Sequence, residues 1–553
     1  MNSPSCSFLR VVSAVPRLSR NSISSSIRHL SAVQQNKRLP EDGLTLSDFI
    51  HSRKKRLPRI IPSVEESNAY LTPEDLSGQG RSVKYVTYGC QMNVNDMEIV
   101  RSILQTNDYV ETENTTTADV VVLMTCSIRE GAEEKVRKEL KRIKRTATRS
   151  QTVGVLGCMA ERVRHNLLEK KGLVDVVAGP DSYRDLPRLL AIARGGTSAI
   201  NVQLSLDETY ADVTNVRVDT NSRAAFVSIM RGCDNMCSFC VVPLTRGRER
   251  SRPIDSIIDE VKRLRDEGVR QITLLGQNVN SYRDTSESLA VIGNLDASRS
   301  VPGFSTVYKQ KTGGRTFATL LDKISEIDPE LRIRFTSPHP KDFPMEVIQL
   351  IKERPNICNQ LHMPAQSGSN KVLERMGRGY TRETYLRLVD DVKTILPDVS
   401  ITSDFIAGFC DETEEDHRLT VDLMRQVKYS FCFAFPYSMR EKTRAHYRLV
   451  DNIPDEIKRR RHEELIAVFR DDALRLNQAL VGTEQLVLVE GCSKRSETAV
   501  QGRADGGTKV IFENTENYAP GDYVAVKIDT CSSQTLLGSA LRKTSVKEFY
   551  SSC

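Results

Sequence analysis

RGCDNMCSFC, residues 231–240, sets the thiols of Cys233, Cys237 and Cys240 in CxxxCxxC spacing just after the apolar run AAFVSIM at 224–230. A loop at the carboxyl end of a β run is where (β/α) proteins concentrate their chemistry. A [4Fe–4S] cluster takes four ligands and this loop offers three, which leaves one iron open to a chelating small molecule. Zinc is the main competitor, but structural zinc needs a closed cage of four ligands, and 241–300 contains neither Cys nor His to complete one. Three ordinary buried thiols at this density, with Gly beside them, make a poor alternative.

Six apolar β runs extend outward from this loop: 224–230, QITLLGQN (271–278), LRIRFTS (331–337), QLHMPAQ (360–366), SITSDFIAG (400–408) and FCFAFPYS (431–438). Helical segments separate them, so residues 218–476 read as a partial (β/α)6 barrel, two units short of closure and open at one side. Residues 283–314 are polar and read as an inserted surface loop. Upstream, the runs VKYVTY, ADVVVLMT, TVGVLG and LVDVVAG alternate with helices over 82–200, the pattern of a parallel sheet covered on both faces. Cys90, Cys126 and Cys158 each fall near the end of one of its first three strands, so a single rim of the sheet can collect all three. Residues 478–545 carry short β runs divided by Gly/Asn/Asp turns and read as a small β-barrel. The expected architecture is α/β throughout the first two blocks, closed by that barrel.

At 553 residues the chain exceeds one core, and 39 % apolar with 27 % charged residues is a globular balance. No run reaches the length of a membrane-spanning helix. The net charge of +7 is no argument for a polyanionic partner, because residues 1–40 hold five Arg, one Lys and no acid and so supply +6 of it. That Arg- and Ser-rich opening reads as a mitochondrial transit peptide, with 41–81 as a linker and the matrix as the destination. Thirteen cysteines, an odd number of which six fall in two trios and seven form no grouping, fit a reducing compartment better than a disulfide framework.

The segments TYGCQMN (87–93), TCSIRE (125–130), GCMAER (157–162), RGCDNMCSFCVVP (231–243), RGRERSRP (246–253), LGQNVNSY (275–282), MPAQSGS (363–369) and SDFIAGF (403–409) together resemble the radical S-adenosylmethionine (SAM) methylthiotransferases, in particular the MiaB type. The resemblance covers about residues 82–545, and its third block corresponds to a TRAM barrel. It implies two [4Fe–4S] clusters, one on Cys233, Cys237 and Cys240 and an auxiliary one on Cys90, Cys126 and Cys158, with SAM as the cofactor. It also implies a tRNA anticodon stem-loop as substrate, methylthiolated at carbon 2 of N6-isopentenyladenosine 37. In that chemistry an electron entering the first cluster cleaves SAM to a 5′-deoxyadenosyl radical, and the auxiliary cluster holds the sulfur. Neither the electron donor nor the sulfur source is legible; a monomer is expected.

Gln277, Asn278 and Asn280 close the second barrel strand, and Ser337, Gln366 and Ser367 close later ones; each either hydrogen-bonds SAM or caps its loop. Arg246, Arg248, Arg250 and Arg252 crowd the loop after the first cluster, where at least one is expected to serve SAM or tRNA. Residues 135–149 hold eight basic residues and one acid, and KRRR at 458–461 forms a second basic group. Arg137, Lys141, Lys144, Arg145, Arg459 and Arg460 are therefore candidate phosphate contacts. Two Pro-Gly pairs of the family pattern are replaced here, by Cys410-Asp411 and by Glu441-Lys442, and Leu244 stands for a common aromatic. Competing readings are methylthiolation of threonylcarbamoyl-adenosine tRNA, methylthiolation of a ribosomal protein, and a non-enzymatic protein that restrains a kinase through its regulatory subunit. Gln91-Met92-Asn93 resembles the isopentenyl branch, and a pure binder has no use for six cluster cysteines.

Overall fold

A parallel six-stranded sheet opens the described part of the chain, in the order β2-β1-β3-β4-β5-β6. Its strands are β1 (Ser82–Thr87), β2 (Val110–Glu111), β3 (Val120–Thr125), β4 (Thr152–Gly157), β5 (Val176–Ala178) and β6 (Ala199–Asn201). The computed structural model describes residues 71–127, 130–146, 151–169, 173–286, 304 and 313–551; the Arg-rich leader lies outside them. Every residue of β3 and β4 is buried, as central strands covered on both faces require. Period-two alternation splits β3 between two cores. Val120, Val122 and Met124 pack with Val100 and Leu104 of helix Gln91–Thr106. Val121 and Leu123 pack with Val136, Leu140 and Ile143 of helix Glu130–Thr146. The i, i+4, i+7 spacing of those last three makes that helix amphipathic, and its basic residues fall on the outer face.

The second block is the expected six-unit partial barrel. Strands Ala224–Ser228, Gln271–Leu275 and Arg332–Phe335 pair in parallel, as do Gln360–His362, Ser400–Ala407 and Phe431–Pro436. A parallel bridge from Ile333 to Ile357 joins the two halves. No pairing joins the first strand to the sixth among the described residues. The 25-residue helix Asp455–Ala479 packs on the last strand, with the Phe469 ring 5.3 Å from that of Phe431.

The inserted loop begins later than the sequence suggests. Arg283 and Asp284 pair antiparallel with Thr316 and Arg315. The buried Asp284 carboxylate accepts from the backbone N–H of Ile254 at 2.9 Å, at the start of helix Ile254–Asp266, and from Arg315 at 2.7 Å. These first residues are thus part of the scaffold; most of 285–312 lies outside the described residues.

The C-terminal block is a closed five-stranded barrel of Glu484–Cys492, Ala499–Arg503, Lys509–Glu513, Thr535–Thr544 and Tyr523–Cys531, in that order around the wall. It docks on the amino ends of the large barrel's strands. Arg334 donates to the carbonyls of Ala504 at 2.8 Å and Asp505 at 2.9 Å, and Arg332 to those of Arg503 at 3.0 Å and Leu486 at 3.2 Å. Tyr523 Oη reaches Glu330 O at 2.8 Å, and Ser400 Oγ reaches Gly506 O at 2.8 Å. Replacing Arg334 with Met removes these donors and leaves buried carbonyls unsatisfied, at a cost on the order of 2 kcal/mol. Hydrogen exchange is expected to quicken at Ala504–Gly507 and in the adjoining strands, with 82–201 unchanged; an unaltered exchange pattern speaks against this docking.

Candidate iron–sulfur and S-adenosylmethionine site

β1, β3 and β4 are neighbours in the sheet, so the three single cysteines emerge at adjacent strand ends. Cys90 caps helix Gln91–Thr106, Cys126 follows Thr125 directly, and Cys158 is the first residue of helix Cys158–Val163. Gly89 has φ +121°, and a Cβ there would come within 2.7 Å of Cys126 Cβ, so only glycine lets the Cys90 turn close on its neighbour. Cys126 and Cys158 are buried, whereas Cys90 is exposed.

The second trio follows strand Ala224–Ser228. Gly232, at φ +76°, is pressed against the carbonyl oxygen of Arg248, leaving no room for a side chain before Cys233. Cys233 and Cys237 are each 7 % exposed and Cys240 is half-buried. Burial pushes the Cys240 thiol up to about 12 and that of Cys233 well above its ordinary range. Metal ligation removes such protons outright. The fully buried Arg378 lies beside this trio, with Nη1 3.4 Å from Cys237 Sγ and Nη2 2.7 Å from Pro364 O. A fixed guanidinium there offsets the negative charge of bound thiolates.

All six cysteines are free. Among the described residues no three His, Cys, Asp or Glu side chains close on a single metal ion. A donor set of three thiols on glycine-shaped loops, with a buried cation beside it, suits a [4Fe–4S] cluster with one iron left open.

A buried ion network joins the two trios, and the sequence reading missed its centre. Asp96, on the inner face of helix Gln91–Thr106, is fully buried between Arg246 at 2.7 Å and Arg231 at 2.9 Å. Burial pushes its carboxyl up, but the two guanidiniums outweigh this and hold it below the ordinary carboxylate range. Arg231 also lies over the Tyr210 ring at 4.7 Å. Burial raises the Cys158 thiol, and Arg246, within hydrogen-bonding reach, pulls it the other way. An acid on the same stripe as Met97, Val100 and Leu104 was the available signal that a buried cation faces it. The Arg246–Arg252 loop is accordingly not a free anion patch. Arg250 pairs with Asp181 at 2.9 Å, Arg252 with Glu260 at 2.7 Å and Arg248 with Asp234 at 2.8 Å. Arg246, Arg250 and Arg252 are buried, and Arg246 and Arg250 tie the barrel to the first sheet.

The SAM candidates divide. Gln277 Oε1 accepts from Gly232 N at 2.6 Å, bracing the cysteine loop. Asn278 donates to Asp342 at 2.8 Å and accepts from His339 N at 3.0 Å, as a loop tie does. Ser367 Oγ bonds within its own turn, 3.2 Å from Ser369 N. Asn280 is 7 % exposed, and neither amide atom has a hydrogen-bond partner among the described residues. Ser337 and Gln366 hold φ of +61° and +68° at the carboxyl ends of their strands, a strain characteristic of functional loops.

Among the tRNA candidates, Arg137, Lys141, Arg145 and Arg459 are exposed. Lys144 is half-buried in a pair with Asp175 at 3.1 Å, and Arg460 pairs with Glu414 at 2.6 Å. Both replaced Pro-Gly pairs keep a left-handed second residue, Asp411 at φ +56° and Lys442 at φ +69°. Each gains a contact that glycine could not make, Asp411 Oδ1 accepting from Asn452 at 2.7 Å and Lys442 Nζ donating to Arg162 O at 3.0 Å.

Three family models match in succession: Uncharacterized protein family UPF0004 at 82–179, the Radical SAM superfamily at 227–424 and the TRAM domain at 478–541. A Caenorhabditis elegans protein named CDK5RAP1-like is 61 % identical over 93 % of this chain and 95 % of its own length. The Homo sapiens mitochondrial tRNA methylthiotransferase CDK5RAP1 is 53 % identical over 92 % of this chain and 90 % of its own. A tRNA-2-methylthio-N(6)-dimethylallyladenosine synthase of Chloroherpeton thalassium is 47 % identical over 82 % and 95 %. Similarity running at this level through all three blocks makes the chain a member of the radical SAM methylthiotransferase family, of the MiaB type.

Proposed function

We propose that this protein is a mitochondrial tRNA methylthiotransferase that places a methylthio group on carbon 2 of N6-isopentenyladenosine 37, working in the matrix. The relatives' names carry the enzyme class, the tRNA and the mitochondrion. Position 37 and the matrix are this reading's own addition. In it, Cys233, Cys237 and Cys240 hold the SAM-binding [4Fe–4S] cluster and Cys90, Cys126 and Cys158 hold the auxiliary one. When bound, the two clusters and SAM supply the radical that activates the adenine carbon and the sulfur that replaces its hydrogen. Arg378 balances charge beside Cys237, and Gln277 braces the loop before Cys233. Asn280, its amide without a hydrogen bond among the described residues, is offered to SAM, with Ser337 and Gln366 after later strands as further candidates. The exposed Arg137, Lys141, Arg145 and Arg459 are offered to tRNA phosphates, and 478–545 is assigned to RNA as well. The observation that supports this reading most is the pair of three-cysteine rims joined through Asp96 and Arg246.

Mass spectrometry of mitochondrial tRNA from cells lacking the protein is expected to show isopentenyladenosine accumulating without its methylthio group. Methylthio nucleoside at wild-type abundance in those cells is the result that rejects the substrate.

A further inference from the structure

The short helix Arg444–Arg448 lies after the last barrel strand, at the same end of the barrel as the cysteine loops. Its only buried residue, Ala445, packs with Phe409 and Tyr437. The backbone N–H of Ala445 donates at 2.8 Å to the carbonyl of Ser238, which stands between Cys237 and Cys240. Arg444 Nη1 donates to Met236 O at 3.1 Å. Two residues before the helix, Lys442 Nζ reaches Arg162 O at 3.0 Å, in the helix that begins with Cys158. One segment therefore touches the framework of both trios.

What this segment shows to solvent differs from an ordinary loop. Arg444, His446, Tyr447 and Arg448 are all exposed, and Tyr447 is 70 % exposed, with its ring held edge-on to His446 at 5.2 Å. Arg448 makes no ion pair among the described residues. A lone exposed aromatic is unremarkable in a folded protein, but this one is flanked by two arginines and anchored to the cysteine loop. Sequence-specific RNA recognition targets unpaired loops whose bases stack on aromatic rings, with arginines taking the neighbouring phosphates.

We propose that Arg444, Tyr447 and Arg448 form a docking corner for the single-stranded loop of the RNA substrate: Tyr447 stacks on an unpaired base and the two arginines hold the adjoining phosphates. This rests on the tRNA reading above and adds the surface that presents the loop to the cysteine rims.

The test is hydroxyl-radical footprinting of the cluster-loaded wild-type protein, with and without a synthetic anticodon stem-loop carrying isopentenyladenosine. Oxidation of Tyr447 is expected to fall several-fold when the stem-loop is bound. Tyr447→Ala is expected to weaken binding about tenfold, as loss of one stacked base does, with Tyr447→Phe restoring it. Arg448→Glu is expected to lower the slope of log affinity against log salt by about one. Wild-type protein that holds the stem-loop with Tyr447 unprotected overturns the docking corner alone. Wild-type protein that does not hold the stem-loop overturns the substrate reading, and the corner with it. Footprinting needs no variant, so a misfolded substitution does not blur the outcome.

Discussion

Replacing Cys237 with Ala is expected to abolish SAM cleavage by the reconstituted protein and to lower its iron from about eight to about four atoms per chain. The argument is one of ligand count. Cys233, Cys237 and Cys240 form the loop's whole thiol set, and 241–300 offers no Cys or His to stand in. Two thiolates do not retain a cube that normally takes four ligands. Arg378, 3.4 Å from the Cys237 sulfur, would then face an empty position with its charge unbalanced. The auxiliary trio provides the internal control, because Cys90, Cys126 and Cys158 belong to another sheet and should keep their four irons. The measurements are iron content and the 5′-deoxyadenosine released under a chemical reductant. Release at the wild-type rate removes this loop from the chemistry altogether.

The largest loss of stability is expected from Asp96→Asn. That carboxylate is fully buried and faces Arg246 at 2.7 Å and Arg231 at 2.9 Å. Neutralising it leaves the buried Arg246 guanidinium without a counter-charge and Arg231 with Glu208 alone, 3.8 Å away, which costs about 3–5 kcal/mol. For a cooperative unit the size of the first two blocks that corresponds to a fall of roughly 4–6 °C in Tm. The sign with pH follows from the same pair. Arg246 and Arg231 hold the Asp96 carboxyl below its ordinary value, so its stabilising effect is present above the unfolded carboxylate pKa of about 4. It is lost as pH falls through the lower folded value. The gap in Tm between wild type and Asp96→Asn should therefore narrow on acidification. Differential scanning calorimetry of the cluster-free protein at two pH values measures both effects, and a variant that melts within about 1 °C of wild type at neutral pH refutes the argument.

Local signals carried much of the architecture. The unbroken apolar runs of β3 and β4 could only be covered central strands, and the three-thiol spacing after 224–230 placed one cysteine loop at a strand end. The short β runs of 478–545 read as a small barrel, but Ala499–Arg503 and Thr535–Thr544 carry little strand signal of their own. The first is short with Gly502 inside, and the second ends in exposed polar residues, so neither has a strong apolar signature. The two-residue β2 at the sheet edge is too short to carry any pattern. The pairing of the arginines of 246–252 is illegible in the sequence for another reason. Asp96 and Asp181, the partners of Arg246 and Arg250, lie 150 and 69 positions away. Charge clustering along a chain reveals nothing of counter-charges brought in from another block. Asn278 and Ser367 show the same limit on a smaller scale, since whether an amide or hydroxyl faces its own loop or a ligand depends on a turn whose path sequence does not specify.

The small barrel grips the amino ends of the large barrel's strands through Arg332 and Arg334, while the cysteine loops occupy the opposite ends. Strands of three to eight residues separate the two rims, a span of roughly 17 Å on average. The hydrogen bonds of Arg332 and Arg334 fix that separation, so a molecule touching both rims would have to match a distance set by strand length alone.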